Sequence, residues 1–200
     1  MSEHYFSQHP TSKVVEKEFV VKLKDKKVRF LSVSGVFSFG KADRASLMLI
    51  KHVPFLYGDV LDLGCGYGLI GIALKTIFVD INLYMSDVNE RAVRYAKINA
   101  KNNNIFATVK AGDGFSVWNE KKFDFIVFNP PIAAGKKVWV KLIQDSKAHL
   151  KDDGALICVG FHNKAGKTVE REMKNVFSNV KTLAKSGGIH LYLSKKEVRR

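Results

Sequence analysis

The run from Asp59 to Leu74 constrains this chain more than any other stretch. Asp59-Val60-Leu61 is a short apolar segment that reads as a buried strand. Asp62-Leu63-Gly64-Cys65-Gly66-Tyr67-Gly68 follows, with glycine at alternate positions, and Leu69-Ile70-Gly71-Ile72-Ala73-Leu74 then reads as the start of a helix. Glycines let backbone approach a ligand with no Cβ in the way, and a helix N-terminus offers free N–H groups. A strand, such a turn and a helix predict an α/β protein that holds the polar part of a nucleotide-like ligand at the strand end. A turn with no ligand would not need the folding entropy that three alternate glycines cost.

Two cofactor classes use this arrangement. Gly66-x-Gly68-x-x-Gly71 matches the dinucleotide fingerprint formally. Asp62 weighs against a dinucleotide, because a carboxylate at the strand tip repels a pyrophosphate. It suits a cationic group such as the amino end of S-adenosyl-L-methionine. Asp-Leu-Gly-Cys-Gly-x-Gly is similar to the first motif of class I S-adenosylmethionine-dependent methyltransferases. The resemblance implies a Rossmann-like fold, with a seven-stranded, mostly parallel sheet and an antiparallel last strand.

Downstream segments arrive in the order this fold requires. Ile81–Ser86 alternates as a second strand and ends at Asp87-Val88, before a helical pattern over Asn89–Asn103. An acid at the end of the second strand is where both cofactor classes bind a ribose; Asp87 also stands where a helix N-cap would. A third strand, Ala107–Lys110, leads to Gly112-Asp113-Gly114, and the resemblance implies that Asp113 accepts from the adenine amine. Phe123–Phe128 is nearly all apolar, as a central parallel strand should be, and stops at Asn129-Pro130-Pro131-Ile132. Prolines fix φ and hold the preceding residue extended, so the turn presents stiff acceptors: the Asn129 side-chain oxygen and the Asn129 or Pro130 carbonyl. Asn129-Pro130-Pro131 resembles the fourth motif, Asn-Pro-Pro-(aromatic), of methyltransferases acting on planar amino groups: adenine N6, guanine N2 and protein glutamine. Ile132 departs from it, standing where an aromatic ring would stack on a flipped base.

Two alternating segments, Val14–Leu23 and Val28–Val33, read as a β-hairpin ahead of the main fold. Gly35-Val36-Phe37-Ser38 resembles the segment that folds over the cofactor in rRNA guanine-N2 methyltransferases of the RsmC type, which places Phe37 or Phe39 near the ligand. A helix over Ala45–Ile50 follows, with Asp43 as its N-cap. Beyond Pro131, a helix is expected from Gly135 to about Leu150, an Asp152-Asp153-Gly154 turn, and a strand over Ala155–Gly160. A helix carrying Lys164, Lys167, Arg171 and Lys174 comes next, then two strands at Phe177–Leu183 and Ile189–Leu193. The expected division is a hairpin extension, residues 1–34, and a methyltransferase domain, residues 35–200.

Charge points to the substrate. The formal net charge is +14, divided as +5 over residues 1–57, zero over 58–128 and +9 over 129–200. The predicted cofactor half is neutral between basic flanks, which favours a polyanion, most simply RNA. Cys65 and Cys158 read as reduced thiols, and no histidine pair has metal-ligand spacing. His162 alone lies beside a predicted strand end. No apolar run approaches membrane length and residues 1–11 carry no leader-like apolar stretch, so a cytoplasmic protein is expected, without metal. The expected cofactor residues are Asp62, Gly64, Cys65, Gly66, Gly68, Asp87, Val88, Asp113, Gly114 and Asn129, and the expected catalytic turn is Asn129 to Ile132. The expected reaction is methyl transfer to an exocyclic base amine of RNA, guanine N2 of rRNA above others. Alternatives are glutamine methylation in a protein, a binding-only S-adenosylmethionine/RNA protein and, least, a dehydrogenase.

Overall fold

Side chains of successive strand residues point to opposite faces, and here both faces are apolar. In the computed structural model, Val60, Phe125, Val127, Ala155, Ile157 and Val159 pack on one side of a sheet. Leu61, Leu63, Ile126, Phe128, Leu156 and Cys158 pack on the other. A sheet apolar on both faces needs a helical layer on each. The structure describes residue 8, residues 12–23 and residues 25–197. The polar N-terminal stretch and the last residues of the basic tail lie largely outside these.

In chain order the elements are β1 (Glu16–Leu23), β2 (Lys26–Val33), α1 (Arg44–His52), β3 (Asp59–Leu63), α2 (Leu69–Ile77), β4 (Asn82–Asp87) and α3 (Glu90–Asn102). Then come β5 (Ala107–Ala111), β6 (Phe123–Phe128), α4 (Lys136–Ser146), β7 (Leu150–Phe161), α5 (Lys167–Phe177), β8 (Lys181–Ser186) and β9 (Ile189–Lys195). The seven-stranded sheet has the order β5-β4-β3-β6-β7-β9-β8. Only β9 runs against its neighbours, as expected. Buried residues of α1, α2, α3 and the hairpin share one core, and those of α4 and α5 the other.

Three expected boundaries moved. The fourth helix stops at Ser146, where the serine hydroxyl donates to the Ile143 carbonyl, and Leu150 opens β7 opposite Phe123. Asp152-Asp153-Gly154 is not a separating turn but an irregularity inside β7. Asp153 has φ 61°, and a Cβ on Gly154 would lie 3.0 Å from the Asp124 carbonyl oxygen. The strand thereby shifts register between Phe123 and Phe125. Phe177 does not begin a strand; it closes the apolar stripe Val169, Met173, Phe177 of α5, a spacing of four that belongs to a helix.

The hairpin is tied down by two asparagines one turn apart on α3. Asn99 Oδ1 accepts from the Leu31 N–H at 2.8 Å, and its Nδ2 donates to the carbonyls of Leu31 and Tyr67 at 2.9 Å each. Asn103 does the same to the N–H and C=O of Arg29. Side-chain amides thus stand in for a neighbouring strand along the free edge of β2. Phe19 and Phe30 pack on Tyr67, so the hairpin covers α3 and the glycine turn. Asn99→Ala removes a fully buried side chain, leaves the Leu31 N–H and C=O and the Tyr67 C=O without it, and should destabilise the fold by about 2–3 kcal/mol in denaturant unfolding. The more exposed Asn103→Ala should cost clearly less.

Candidate active site

Parallel strands present their carboxyl ends along one edge of the sheet, and a crevice opens there where strand order reverses. The reversal lies between β3 and β6, the adjacent parallel strands. A cavity of about 420 Å³ sits at that point. Its walls come from the glycine turn, the ends of β4, β5 and β6, the α1 N-terminus, the segment Val36–Ser38 and the first turns of α4.

Gly64 and Cys65 donate their N–H groups to the Ser86 carbonyl at 2.8 and 2.9 Å, which seats the turn on β4. Gly66 has φ 56° and donates its N–H to Asp87 Oδ2 at 2.8 Å. The other oxygen of Asp87 accepts from the Asn89 N–H at 2.9 Å, while Asn89 itself caps α3. Burial pushes the Asp87 carboxyl up, against the pull of these N–H groups. Gly64, Cys65, Gly66, Asp87, Val88, Asp113, Gly114, Asn129, Pro130 and Pro131 all line the cavity.

Three expected residues stand elsewhere. Gly68, at φ 91°, begins α2, and a Cβ there would meet Ile72 at 2.8 Å. Ile132 lies in a short 3₁₀ turn and is 41% exposed, outside the cavity wall. Asp62 lies beneath the turn, 1% exposed. Its Oδ2 accepts from the Gly71 N–H at 2.8 Å, and its Oδ1 has no partner. Burial, then the nearby charge of Asp87, pushes this carboxyl up to about 7, with the Gly71 N–H opposing. Gly71 thus serves Asp62 and helix packing, not a phosphate.

Asn129 is set by residues that sequence reasoning did not connect to it. Its Nδ2 donates to Asp43 Oδ2 and to Ser46 Oγ at 3.0 Å each. Asp43 Oδ2 also accepts from the N–H and hydroxyl of Ser46. A carboxylate only accepts, so the amide nitrogen must face it, which leaves Oδ1 as the open acceptor of Asn129. Asp43 was legible as a helix cap; nothing in the spacing of 86 residues announced its second use. The Pro130 carbonyl accepts from the Ile132 N–H at 2.9 Å, an inverse γ-turn about Pro131, at φ −75° and ψ 77°. Of the two candidate aromatics, Phe37 lines the cavity and Phe39 lies under the Lys17 ammonium.

The site suits a ligand with a net positive charge. Asp43, Asp87 and Asp113 line it, and Asp62 brings a buried, half-paired carboxylate below. An orphaned carboxylate oxygen beside a tight glycine turn fits the ammonium of S-adenosyl-L-methionine, whose sulfonium adds a second positive charge. Among the described residues no group of three metal-capable side chains occurs, and no helix is long and apolar enough to cross a membrane.

A family model described as methyltransferase small domain matches residues 27–193. An uncharacterised Bacillus subtilis protein, YbxB, is 38% identical over 98% of this chain and all of its own length. Ribosomal RNA small subunit methyltransferase C of Aliivibrio fischeri is 34% identical over 90% of this chain and 53% of its own. The chain therefore spans about half the length of such relatives. Among solved structures, the Thermus thermophilus 16S rRNA N2 G1207 methyltransferase RsmC, in complex with AdoMet and guanosine, superposes with a TM-score of 0.82. Its identity is 24%, over 94% of this chain and 52% of that one.

Asp62 ties cofactor affinity to pH. Its carboxyl is neutral below about 7 in the cofactor-free protein, so affinity for S-adenosyl-L-methionine should fall as pH drops from 7 to 5.5. It should also fall above about 8, where the ligand's own α-amino group loses its proton. Calorimetry should show Asp62→Asn binding weakly with the low-pH limb gone; an unchanged limb would assign it to another group.

Proposed function

The chain belongs to the methyltransferase small domain family, and we propose that it methylates the exocyclic N2 amine of a guanine in ribosomal RNA, with S-adenosyl-L-methionine as donor. The observation that carries this reading is the fixed amide of Asn129, whose nitrogen is held by Asp43 and Ser46 so that its oxygen accepts at the cavity.

The amine of a base is a poor nucleophile because its lone pair is delocalised into the ring. Asn129 Oδ1 accepts one of its N–H groups, and a backbone carbonyl of Asn129 or Pro130 accepts the other. Two acceptors held by a proline-stiffened turn favour an sp³ nitrogen and aim its lone pair. The residues contribute orientation and electrostatics, not bond-making. The donor, when bound, supplies an electrophilic methyl on a positively charged sulfur. The turn Gly64–Gly66 holds its amino acid end, with Asp62 beneath the turn as the buried counter-charge and Gly68 shaping the entry to α2, while Asp87 holds its ribose and Asp113 with Gly114 and Val88 its adenine. No general base is needed, since the surplus proton leaves to water after transfer. Ile132, on the outer side of the turn, offers the target base an aliphatic contact in place of a ring.

Guanine and ribosomal RNA are favoured by the names of the relatives and by the net +9 after residue 128. A ribosomal substrate also places the reaction in the cytoplasm. The test is incubation with methyl-labelled donor and either ribosomal subunits or naked rRNA, followed by nucleoside analysis. N2-methylguanosine is expected; label in adenosine or in protein glutamine would overturn the assignment. Asn129→Ala should lower kcat by about 100-fold or more, with donor affinity within a few fold by calorimetry. Parallel loss of donor binding would remove the role given to Asn129.

A further inference from the structure

The carboxyl edge of the sheet continues past the cavity, and its charge changes sign there. In strand order it carries Asp113 after β5, Asp87 on β4, the glycine turn over Asp62 and Asn129 after β6. Beyond Asn129 it carries His162 after β7, His190 at the start of β9 and Lys185 at the end of β8. Because β9 is antiparallel, its first residues meet the last residues of β7 and β8: Gly160 pairs with His190, and Lys185 with His190. Arg44, next to the cavity residue Asp43, closes this side. It reaches the β8–β9 turn, where a Cβ on Gly187 would lie 2.6 Å from its guanidinium nitrogen. Arg44, Lys164 and Lys185 are exposed, and none has an acidic ion-pair partner among the described residues.

The two histidines are built in. Their rings stack with centroids 4.0 Å apart. Their Nδ1 atoms lie 2.7 and 3.1 Å from one hydroxyl, that of the fully buried Tyr192. That hydroxyl donates to one ring and accepts from the other, so at least one imidazole has its Nε2–H left as a donor. Glu170 from α5 is the acid acting on His190; Lys185 from β8 opposes its effect, and Lys164 stands on the turn before α5. Burial, then the charges of His162 and Lys185, holds the His190 imidazole below its usual range. An anion set against the edge would favour protonation of His190.

We propose that the edge formed by the ends of β7 and β8 and the start of β9, with Arg44, Lys185, Lys164 and the His162–His190 pair, grips the sugar–phosphate backbone of the acceptor RNA beside the target base. The inference rests on the RNA reading above and says which face of the molecule carries the strand. Three adjacent strands span about 10 Å at ~4.8 Å each, wider than a single phosphate. The cationic groups lie on the side of Asn129 away from the acids that suit the donor. A strand on this track brings its base to Asn129 without passing over Asp87 or Asp113. The outer face of α5 beyond its first turn, with the exposed Arg171 and Lys174, is basic as well, but it lies about 6 to 10 Å along the helix from its start at that edge, at 1.5 Å per residue, and there it acts as a solvated helix face.

The experiment compares an edge double variant, Arg44→Glu with Lys185→Glu, with an α5 double variant, Arg171→Glu with Lys174→Glu. Donor affinity, melting temperature, steady-state transfer to ribosomal RNA and the salt dependence of RNA affinity are measured for each. The edge variant should raise KM for RNA at least tenfold, with kcat within twofold and donor affinity unchanged. Its slope of log affinity on log salt should be shallower by about 1.4, at ~0.7 per lost phosphate contact. The α5 variant should match the wild type. If the edge variant loses donor affinity or melts early, Arg44→Gln with Lys185→Gln replaces it, with a KM increase of about threefold expected. Wild-type KM and salt slope in the edge variants, or an equal loss in the α5 variant, would overturn the assignment and leave the RNA reading standing. Absence of any wild-type transfer to RNA would remove both.

Discussion

The reversal of strand order between β3 and β6 is the constraint on which the rest depends. Two parallel neighbours whose following helices lie on opposite faces cannot close the space above their own carboxyl ends. Here α2 and α3 share a core with one face, and α4 and α5 with the other. The crevice that remains receives whatever residues end the strands. Those residues are a glycine turn after β3, Asp87 on β4, Asp113 after β5 and Asn129 after β6. Chemistry and topology coincide because each strand contributes its next residue to one small volume.

The same reversal divides the electrostatics. On the β3-β4-β5 side the edge is acidic, inside a protein of net +14. Carboxylates would not gather there without a cause, since Asp62 and Asp87 both lose solvation and repel each other. A cationic donor relieves that repulsion. On the β7-β9-β8 side the edge is basic. A positively charged small molecule and a polyanion can therefore occupy neighbouring stretches of one edge without competing for the same field. Asn129, neutral and rigid, stands at the boundary.

Elements outside the sheet hold this arrangement still. The α1 N-terminus fixes the Asn129 amide through a single oxygen of Asp43, so capping a helix and orienting an acceptor are one event. The hairpin acts at longer range: Asn99 joins Leu31 of β2 to the Tyr67 carbonyl in the glycine turn. The Tyr67 hydroxyl in turn donates to the Lys41 carbonyl at 3.2 Å, in the loop that leads from Phe37 to α1. Hairpin, turn and loop form a chain of hydrogen bonds around the donor side of the cavity. Preorganisation of this kind lets positioning residues act without reorganising during the reaction.

Much of this was legible in the sequence. The apolar runs of β3, β6 and β7, the alternate glycines, and the acids and Asn-Pro-Pro turn that follow strands are local signals. Backbone sterics and periodicity act over a few residues and leave their mark in order. The boundaries at Phe177 and Asp152–Gly154 were misread because an apolar residue at a helix end, or a bulge within a strand, looks locally like the alternative. Local order along the chain was enough to set the fold class and the residues at the strand ends. Packing alone fixed which way the Asn129 amide faces, that Asp62 lies under the turn with one oxygen unpaired, that Phe37 and not Phe39 meets the cavity, and that Arg44, Lys185, His162 and His190 share an edge. Those facts depend on contacts between residues far apart in the chain, Asp43 with Asn129 and Arg44 with the turn at Gly187, and on the antiparallel entry of β9. No local pattern encodes them, because burial and hydrogen-bond partners are properties of the packed chain.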